Sequence, residues 1–569
     1  MKKPSGLTYG VEEAPPATVA LLSGLQHVAL ISTFLVYPIL VFRVGGLETQ
    51  AVADLLGTGF VVLGLATLLQ ATAKGPVGSG FLCPVTFTAA FLGPSLGAIK
   101  LGGLPLLFGM TMFAGFAQSA LSRVLHLLRP YLPTELSGFV VLMAGVTAGM
   151  AGVRYLVATT GAPALSSMEW AIAAGTLGVM AAASIWASGL LKMTCVLVAM
   201  ALGYAAAAAA GLLDPARLAA LAAAPLLAAP SIVHAGWSFD LALVVPFLIA
   251  AIATTLKALG SVTLAQRIND ADWVRPKMSS NRRGVLADGL GIVLAGFAGS
   301  YGTNTSAANV ALAGATGVAS RRVAWAIALI FVLLGFLPQL AMLFAIMPRP
   351  VMAAALVFTT CFLLINGMQI ITSRMLDTRK TLVIGLATVA GLTVEVFPRV
   401  ASFVPGAIAP LLGSSLVFGT LVALLLNLLF RIGVRRTVNL ILEAGAADRA
   451  TTIEEFYERH GQAWGARPDV IAKATFGTQQ LLETVVDNCS PRGPLELEAS
   501  FDEYRLEVRL RYEGELLAFP EQRPSNQEIL DGDDGLRKLA GYMLRRNADR
   551  VQARQGADGR VMVHFHFDH

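Results

Sequence analysis

Lys257 lies inside the apolar run 241–262, with Gly260 and Ser261 about one turn later. An ionisable side chain there is costly to desolvate and marks a candidate site. Its ammonium offers three donors and no acceptor, which suits an anion or the acceptor-rich edge of a ring. The competing use is a lysine late in its span, with its stem in lipid and its head at the interface. Gln26-His27 places a second polar pair in the first apolar run. An imidazole titrates near neutral pH, so His27 suits a proton-linked switch or a buried structural hydrogen bond. Asp288 and Glu395 are acids in apolar runs, and Asp288 suits proton coupling or a tie between helix ends. The run Cys83-Pro-Val-Thr86-Phe87-Thr88 offers two hydroxyls and a flat ring that fits either a planar solute or the core.

The elements that must position these residues are membrane spans. Apolar residues make up 55% of the 569, charged residues 14%, and the mean hydropathy is +0.67. Soluble chains average about 25% charged, so this composition excludes a cytosolic enzyme, a disordered chain and a nucleic-acid binder. The formal charge of +6 divides at Arg431, with 23 Lys+Arg against 13 Asp+Glu before it and 19 against 23 from it onward. Cys83, Cys195, Cys361 and Cys489 form no CxxC pair, and burial as small hydrophobes is expected, with no disulfide framework or zinc site. No cofactor, metal or catalytic residue is expected. Residues 1–16 are polar and the next apolar run is too long for a signal-peptide core, so no cleavable leader is expected.

A bilayer-spanning helix needs about 20 mostly apolar residues. Candidate spans are 18–42, 52–73, 103–128, 136–160, 169–188, 190–212, 241–262, 322–346, 350–369, 381–398 and 408–430. Three further stretches, 77–97, 286–300 and 305–318, are apolar but short or interrupted by Gly, Pro, Thr and Asn. Counted as segments 3, 9 and 10, they give fourteen, or seven plus seven. Segments 3 and 10 are then the third of each seven. Breaks at matching places point to a solute site between half-helix ends, because irregular backbone at membrane depth must be buried in protein or line a cavity. Close helix packing through small residues is the alternative. Even-numbered loops carry twelve Lys/Arg against five in the odd-numbered ones, which predicts cytoplasmic even loops and cytoplasmic termini.

Gln26-His27 is similar to the Gln-His pair of the nucleobase/ascorbate transporter family, the xanthine and uracil permeases. Gly284-Val-Leu-Ala-Asp-Gly-Leu-Gly291, Gly299-Ser-Tyr-Gly-Thr-Asn-Thr305 and Asn309-Val-Ala-Leu-Ala-Gly-Ala-Thr-Gly-Val-Ala-Ser-Arg321 resemble its segment 9–10 motifs. The resemblance covers roughly residues 18–430. It implies an all-α polytopic membrane protein of fourteen segments in 7+7 inverted repeats, with core and gate domains and usually a homodimer. It implies a secondary transporter in the inner membrane, moving a purine- or pyrimidine-like or other small anionic solute by an elevator or rocking motion. Other readings are an anion transporter on this fold and a membrane sensor signalling through the tail. The solute-binding positions it implies are Gln26, Thr86, Phe87, Thr88, Lys257, Ala308 and Asn309, with His27, Ser261 and Asp288 coupling or structural. Three positions depart from the pattern: Lys257 stands for the usual segment 8 Glu, Ala308 for a Glu or Gln, and Ala311 for the signature Gly.

The expected division is an N-terminal segment 1–17, a transporter domain 18–436 and a cytosolic α+β sandwich 437–569. Helices are expected over 451–488 and 536–546, and strands over 495–501, 504–511, 550–554 and 561–567. This order, with Gly535-Leu536 opening a helix before Asn547-Ala-Asp549, resembles the histidine-kinase-like ATPase fold of anti-sigma factors. That fold's magnesium-holding Asn falls on Thr484, with Asn488 one turn on, and its Asp-x-Gly on Tyr512-Glu-Gly514. A nucleotide-free regulatory or dimerisation module with a cytosolic partner is expected, against an active ATPase. His564 and His566 share one strand face with His569 at the end, which suits an exposed polar face or a weak metal site.

Overall fold

The computed structural model describes the chain except residues 1, 129–132, 158–164, 189–190, 192–193, 214, 231–234, 274–275, 373–375, 398, 401–414, 431–435, 444–447, 465, 467, 503–504, 526–527, 530–532, 557–558 and 569. It divides into two units, Met1–Leu428 and Leu429–His569.

The first unit is helical: α1 (Ala17–Ser32), α2 (Val36–Val44), α3 (Thr49–Ala71), α4 (Leu92–Leu128), α5 (Thr134–Leu156), α6 (Ser167–Trp186), α7 (Cys195–Ala209), α8 (Pro215–Ala223), α9 (Val244–Asn269), α10 (Met278–Phe297), α11 (Ala307–Thr316), α12 (Val323–Gly335), α13 (Pro338–Ala345), α14 (Arg349–Ile371), α15 (Thr378–Val396) and α16 (Ser415–Leu429). Among the described residues, seven helical stretches are long and apolar enough to cross a membrane, eight if α12 and α13 form one bent span. This is a multi-pass membrane protein.

Three segments differ from their expected form. Segment 9 is unbroken, because α10 begins eight residues earlier in the polar run Met278–Gly284, whose Ser280 and Asn281 are buried. Segment 11 is not one straight span. It bends by 81° between α12 and α13, where Pro338, lacking an amide hydrogen, starts the second helix. Cys361 is exposed rather than buried, because its face of α14 does not pack on a neighbouring helix; Cys83, Cys195 and Cys489 are buried and all four are free.

Segments 3 and 10 are interrupted in matching ways. In each, a short extended stretch, β1 (Val85–Phe87) or β2 (Thr303–Thr305), leads into a half-helix. The strands pair antiparallel, Val85 with Thr305, Thr86 with Asn304 and Phe87 with Thr303. The first half-helix ends where α4 breaks at Gly102 and Gly103, the second at Gly317; Gly103 (φ +67°) and Gly317 (φ +71°) take the left-handed region that suits glycine. Thr88 caps one half-helix by accepting from Ala90 N, and Ser306 the other by accepting from Asn309 N.

Close packing organises the remainder. The α5–α14 contact is the most extensive, with glycines of α5 meeting α14: a Cβ on Gly138 would lie 2.7 Å from Ile371 N. The next largest contacts are α4 with α10 and α3 with α12. Helices α5 and α15 run parallel, tied near one end by Lys380 Nζ donating to Glu135 at 2.9 Å and near the other by Arg154 donating to Glu395 at 2.6 Å. Glu395 thus answers an arginine. The N-terminal segment lies along the α11–α12 junction: Tyr9 N donates to Gly317 O, Ala319 N to Tyr9 O and Arg321 N to Val11 O. The Lys3 ammonium and the Gly10 amide hold the exposed Glu13 carboxyl below the usual carboxylate range.

The second unit is an antiparallel sheet in the order β3 (Arg436–Leu442), β4 (Arg492–Phe501), β5 (Arg505–Glu513), β7 (Arg560–Asp568), β6 (Arg550–Gln555). Alternation sends Leu495, Leu497, Leu506, Val508, Leu510, Val563 and Phe565 to one face, where they share a core with α17 (Arg449–Trp464), α18 (Pro468–Asn488) and α19 (Asp533–Asn547). The other face is polar: Arg509 and Arg511 both bond Glu498, and His564 lies 3.8 Å from Glu507.

The α4–α10 contact yields a test. A Cβ on Gly115 would sit 2.5 Å from Val293 N and 2.8 Å from Gly289 O, both backbone. Gly115→Ala is expected to cost about 1–3 kcal/mol through overpacking and to lower the thermal midpoint in detergent. Gly178→Ala, with nothing within 4 Å, leaves the midpoint unchanged.

Candidate functional site

The β1–β2 pair brings two half-helix N-termini together, and one carboxylate fixes the arrangement. Asp288 is buried on α10. Its Oδ1 accepts from the Thr305 amide and hydroxyl, both at 2.6 Å, and its Oδ2 from Asn304 Nδ2 at 2.6 Å and Gln118 Nε2 at 2.7 Å. Gln118 on α4 in turn accepts from Thr254 of α9 at 2.6 Å, and Asn304 Nδ2 also donates to Thr254 O at 3.0 Å. Gln70 of α3 donates to Thr305 Oγ1 at 2.8 Å, and Val85 N to Thr67 Oγ1 at 3.0 Å. Helices α3, α9 and α10 therefore bond the two strands in place of the intrahelical bonds that the strands lack, and Gln118 of α4 braces Asp288 and Thr254.

Lys257 projects into this region. Its ammonium donates to Thr88 Oγ1, the cap of the first half-helix, at 3.3 Å. It lies near the middle of α9 rather than late in its span, because that helix runs on to Asn269 through residues such as Gln266, which is bonded to Asn281. A narrow crevice is lined by Lys257, Thr88, Phe87, Phe34 and Tyr37 together with small and apolar residues of α5 and the first half-helix. Phe87 packs edge-on against Tyr301, with centroids 5.9 Å apart, and Tyr301 donates to Thr88 O at 2.8 Å.

The remaining predicted positions surround this crevice without lining it. Thr86 is buried, its hydroxyl unpartnered among the described residues. Asn309 Nδ2 donates to Ser306 Oγ at 3.0 Å, and its Oδ1 lies 2.8 Å from His27 Nδ1. His27 thereby joins α1 to the second half-helix. Ser261 donates to Lys257 O at 2.8 Å and approaches Thr305 O at 3.5 Å. Ala308 and Gln26 are half-buried. Phe34, Tyr37, Gln118 and Thr254 carry no signal in the sequence, because an aromatic, a Gln or a Thr inside an apolar run is unremarkable, while Tyr301 lies within the Gly299–Thr305 motif without being singled out. Among the described residues, no three His, Cys, Asp or Glu side chains are grouped to hold a metal ion. Chemically, the crevice offers one cation, a half-helix N-terminus and aromatic faces, a set able to bind an acceptor-rich or anionic ring.

Residues 19–400 match the Permease family of xanthine and uracil permeases. The chain is 27% identical over 423 residues to the putative purine permease CPE0397 of Clostridium perfringens, covering 74% of this chain and 92% of that one. It is 27% identical over 445 residues to the xanthine permease XanP of Escherichia coli, covering 75% and 95%. It is 28% identical over 450 residues to XanQ of the same organism, covering 76% and 95%. Among solved structures, the murine anion transporter Slc26a9 in its inward-facing state aligns with a TM-score of 0.48 at 14% identity, covering 76% of this chain and 72% of that one.

The Asp288 cluster predicts a stability loss. Asp288→Asn turns a donor toward the Thr305 amide or the Asn304 and Gln118 amides, none of which can reverse its role without breaking another bond. Each stranded buried donor costs about 1–3 kcal/mol. The expected result is a thermal midpoint in detergent lowered by several degrees, with solute uptake lost.

Proposed function

The chain belongs to the permease family that its residues 19–400 match, and from that premise we propose a secondary transporter for purine- or pyrimidine-like rings, with preference for their anionic or acceptor-rich forms. The observation that carries the preference is the Lys257 ammonium, 3.3 Å from the half-helix cap Thr88 in an aromatic-lined crevice. The relatives are named as purine and xanthine permeases, which favours a nucleobase-like ring over a featureless anion.

Fourteen segments in two inverted sevens form the architecture of this reading. Its support is that segments 2 and 11 pair as segments 9 and 4 do, while 3 pairs with 10 and 5 with 12. Helices α5–α7, α14 and α15 form the gate, and the half-helices with α1–α3, α9, α10, α12 and α13 form the core, which moves against the gate with its solute in an elevator or rocking motion. Gln26, Thr86, Ala308 and Asn309 join Phe87, Thr88 and Lys257 around the solute, and His27, Ser261 and Asp288 hold the half-helices or couple their movement. The transporter domain spans 18–436, after a cytosolic segment 1–17. The protein sits in a bacterial-type inner membrane as a homodimer with both termini cytoplasmic, as the excess of Lys and Arg in the even loops favours. Residues 437–569 form a cytosolic regulatory module related to the anti-sigma ATPase fold. It meets a cytosolic partner without holding nucleotide; the Thr484 hydroxyl and Asn488 side chain are turned to carbonyls of their own helix, Gln480 O and Thr484 O, rather than toward a ligand.

Uptake of labelled xanthine, uracil and urate into proteoliposomes under a proton or sodium gradient tests the reading, which fails if none enters. Lys257→Glu is expected to shift preference from anionic toward neutral rings by about tenfold or more, the scale of one charged hydrogen bond. An unchanged profile would make Lys257 a packing residue.

A further inference from the structure

Between α1 and α2 the first membrane segment winds as a 3-10 turn, Thr33–Leu35. Tighter winding brings residues three apart into line, and Phe34 and Tyr37, with ring centroids 6.1 Å apart, both line the crevice that holds Lys257 and Thr88. Tyr37 is fully buried, and its hydroxyl has no hydrogen-bond partner among the described residues. A buried hydroxyl left unpaired is costly, and native structures leave few. If the residue served packing alone, phenylalanine would fill the same volume without that cost.

Resting on the permease reading above, we propose that Tyr37 is a solute-contacting, specificity-determining residue. Its hydroxyl donates to one acceptor atom of the bound ring, while Lys257 meets a second acceptor or the anionic edge. The site thus selects rings that carry two acceptors, such as dioxopurines and dioxopyrimidines, over mono-oxo analogues. The flanking aromatic rings of Phe34 and Phe87 tolerate any planar body, so discrimination falls to the two polar contacts. Selection of this kind is stronger than selection by shape, because a ring lacking one acceptor leaves a buried donor unpaired.

The test compares wild type with Tyr37→Phe in proteoliposomes, using labelled xanthine and uracil. For whichever ring wild type transports, the variant is expected to raise KM about fivefold to tenfold, the worth of one hydrogen bond. Vmax changes little and discrimination against mono-oxo analogues narrows. In detergent without solute, the thermal midpoint of Tyr37→Phe is expected to match or exceed wild type, since no partner is stranded, while the stabilisation produced by added xanthine or uracil shrinks. Unchanged KM and discrimination overturn the assignment. So does a lowered solute-free midpoint or a failure to fold, either of which would reveal a structural partner for the hydroxyl. Wild-type uptake with an unaltered variant removes only the role of Tyr37. Neither uptake nor binding of either ring by wild type removes the permease reading with it.

Discussion

Everything at the centre of the membrane unit depends on how Asp288 is used. Lipid supplies no hydrogen bonds, so a span that stops being helical must find partners for its freed backbone within the protein. The β1–β2 pair meets part of that need by bonding one break to the other. The carboxylate of Asp288 meets more, by accepting from both the backbone and side chain of Thr305 and from the side chains of Asn304 and Gln118. Because those donors belong to α4 and β2 while the acceptor belongs to α10, one side chain sets the register between a packed helix and an irregular strand. Thr254 on α9 extends the same network toward Lys257, one turn away. The position of the cation in the crevice is therefore inherited from a hydrogen-bond cluster that lies outside the crevice.

Close helix contact is the second condition. Gly115, Gly289 and Gly296 let α4 and α10 approach until backbone meets backbone, which puts Gln118 within reach of Asp288. Gly138 and Gly367 do the same for α5 and α14. Where hydrophobic burial gives little preference for helix over lipid, small residues and interhelical hydrogen bonds supply the specificity. The two ion pairs between α5 and α15 act alike: each joins a carboxylate almost wholly removed from solvent to a cation from a neighbouring helix.

How much of this is legible in the amino-acid sequence is decided by chemistry, residue by residue. The breaks in segments 3 and 10 were readable because Gly, Pro, Thr and Asn interrupt an apolar run, and Asp288 was readable because an acid in such a run is conspicuous. Four of the five strands of the second unit are readable because alternation survives in a water-facing sheet. The fifth, β3 (Arg436–Leu442), directly after the last apolar span, is not among the expected strands. Segment 9 looked short for an instructive reason: Ser280 and Asn281 are polar but buried against protein, and hydropathy reads them as outside. The bend between α12 and α13 was hidden because Gly335 and Pro338 are ordinary in membrane helices. Tyr37 was invisible because nothing in a sequence tells a buried aromatic with a satisfied hydroxyl from one without.

Lys257 poses an electrostatic conflict that the fold alone does not resolve. A half-helix N-terminus carries partial positive charge from its unpaired amides, and Thr88, the cap of such an end, is the group that the Lys257 ammonium touches. Two positive features are thus held together in a narrow crevice. The lysine's hydrogen bond there is to a hydroxyl, and the Asp288 carboxylate, committed to four other donors, attracts it only at longer range, which is weak compensation for desolvating an ammonium. On the transporter reading proposed above, an anionic or acceptor-rich solute removes the conflict by pairing with the ammonium at the positive end of the half-helix. On that reading the arrangement gains when a solute fills it, and that gain, more than any single contact, is what separates a solute site from a packing lysine.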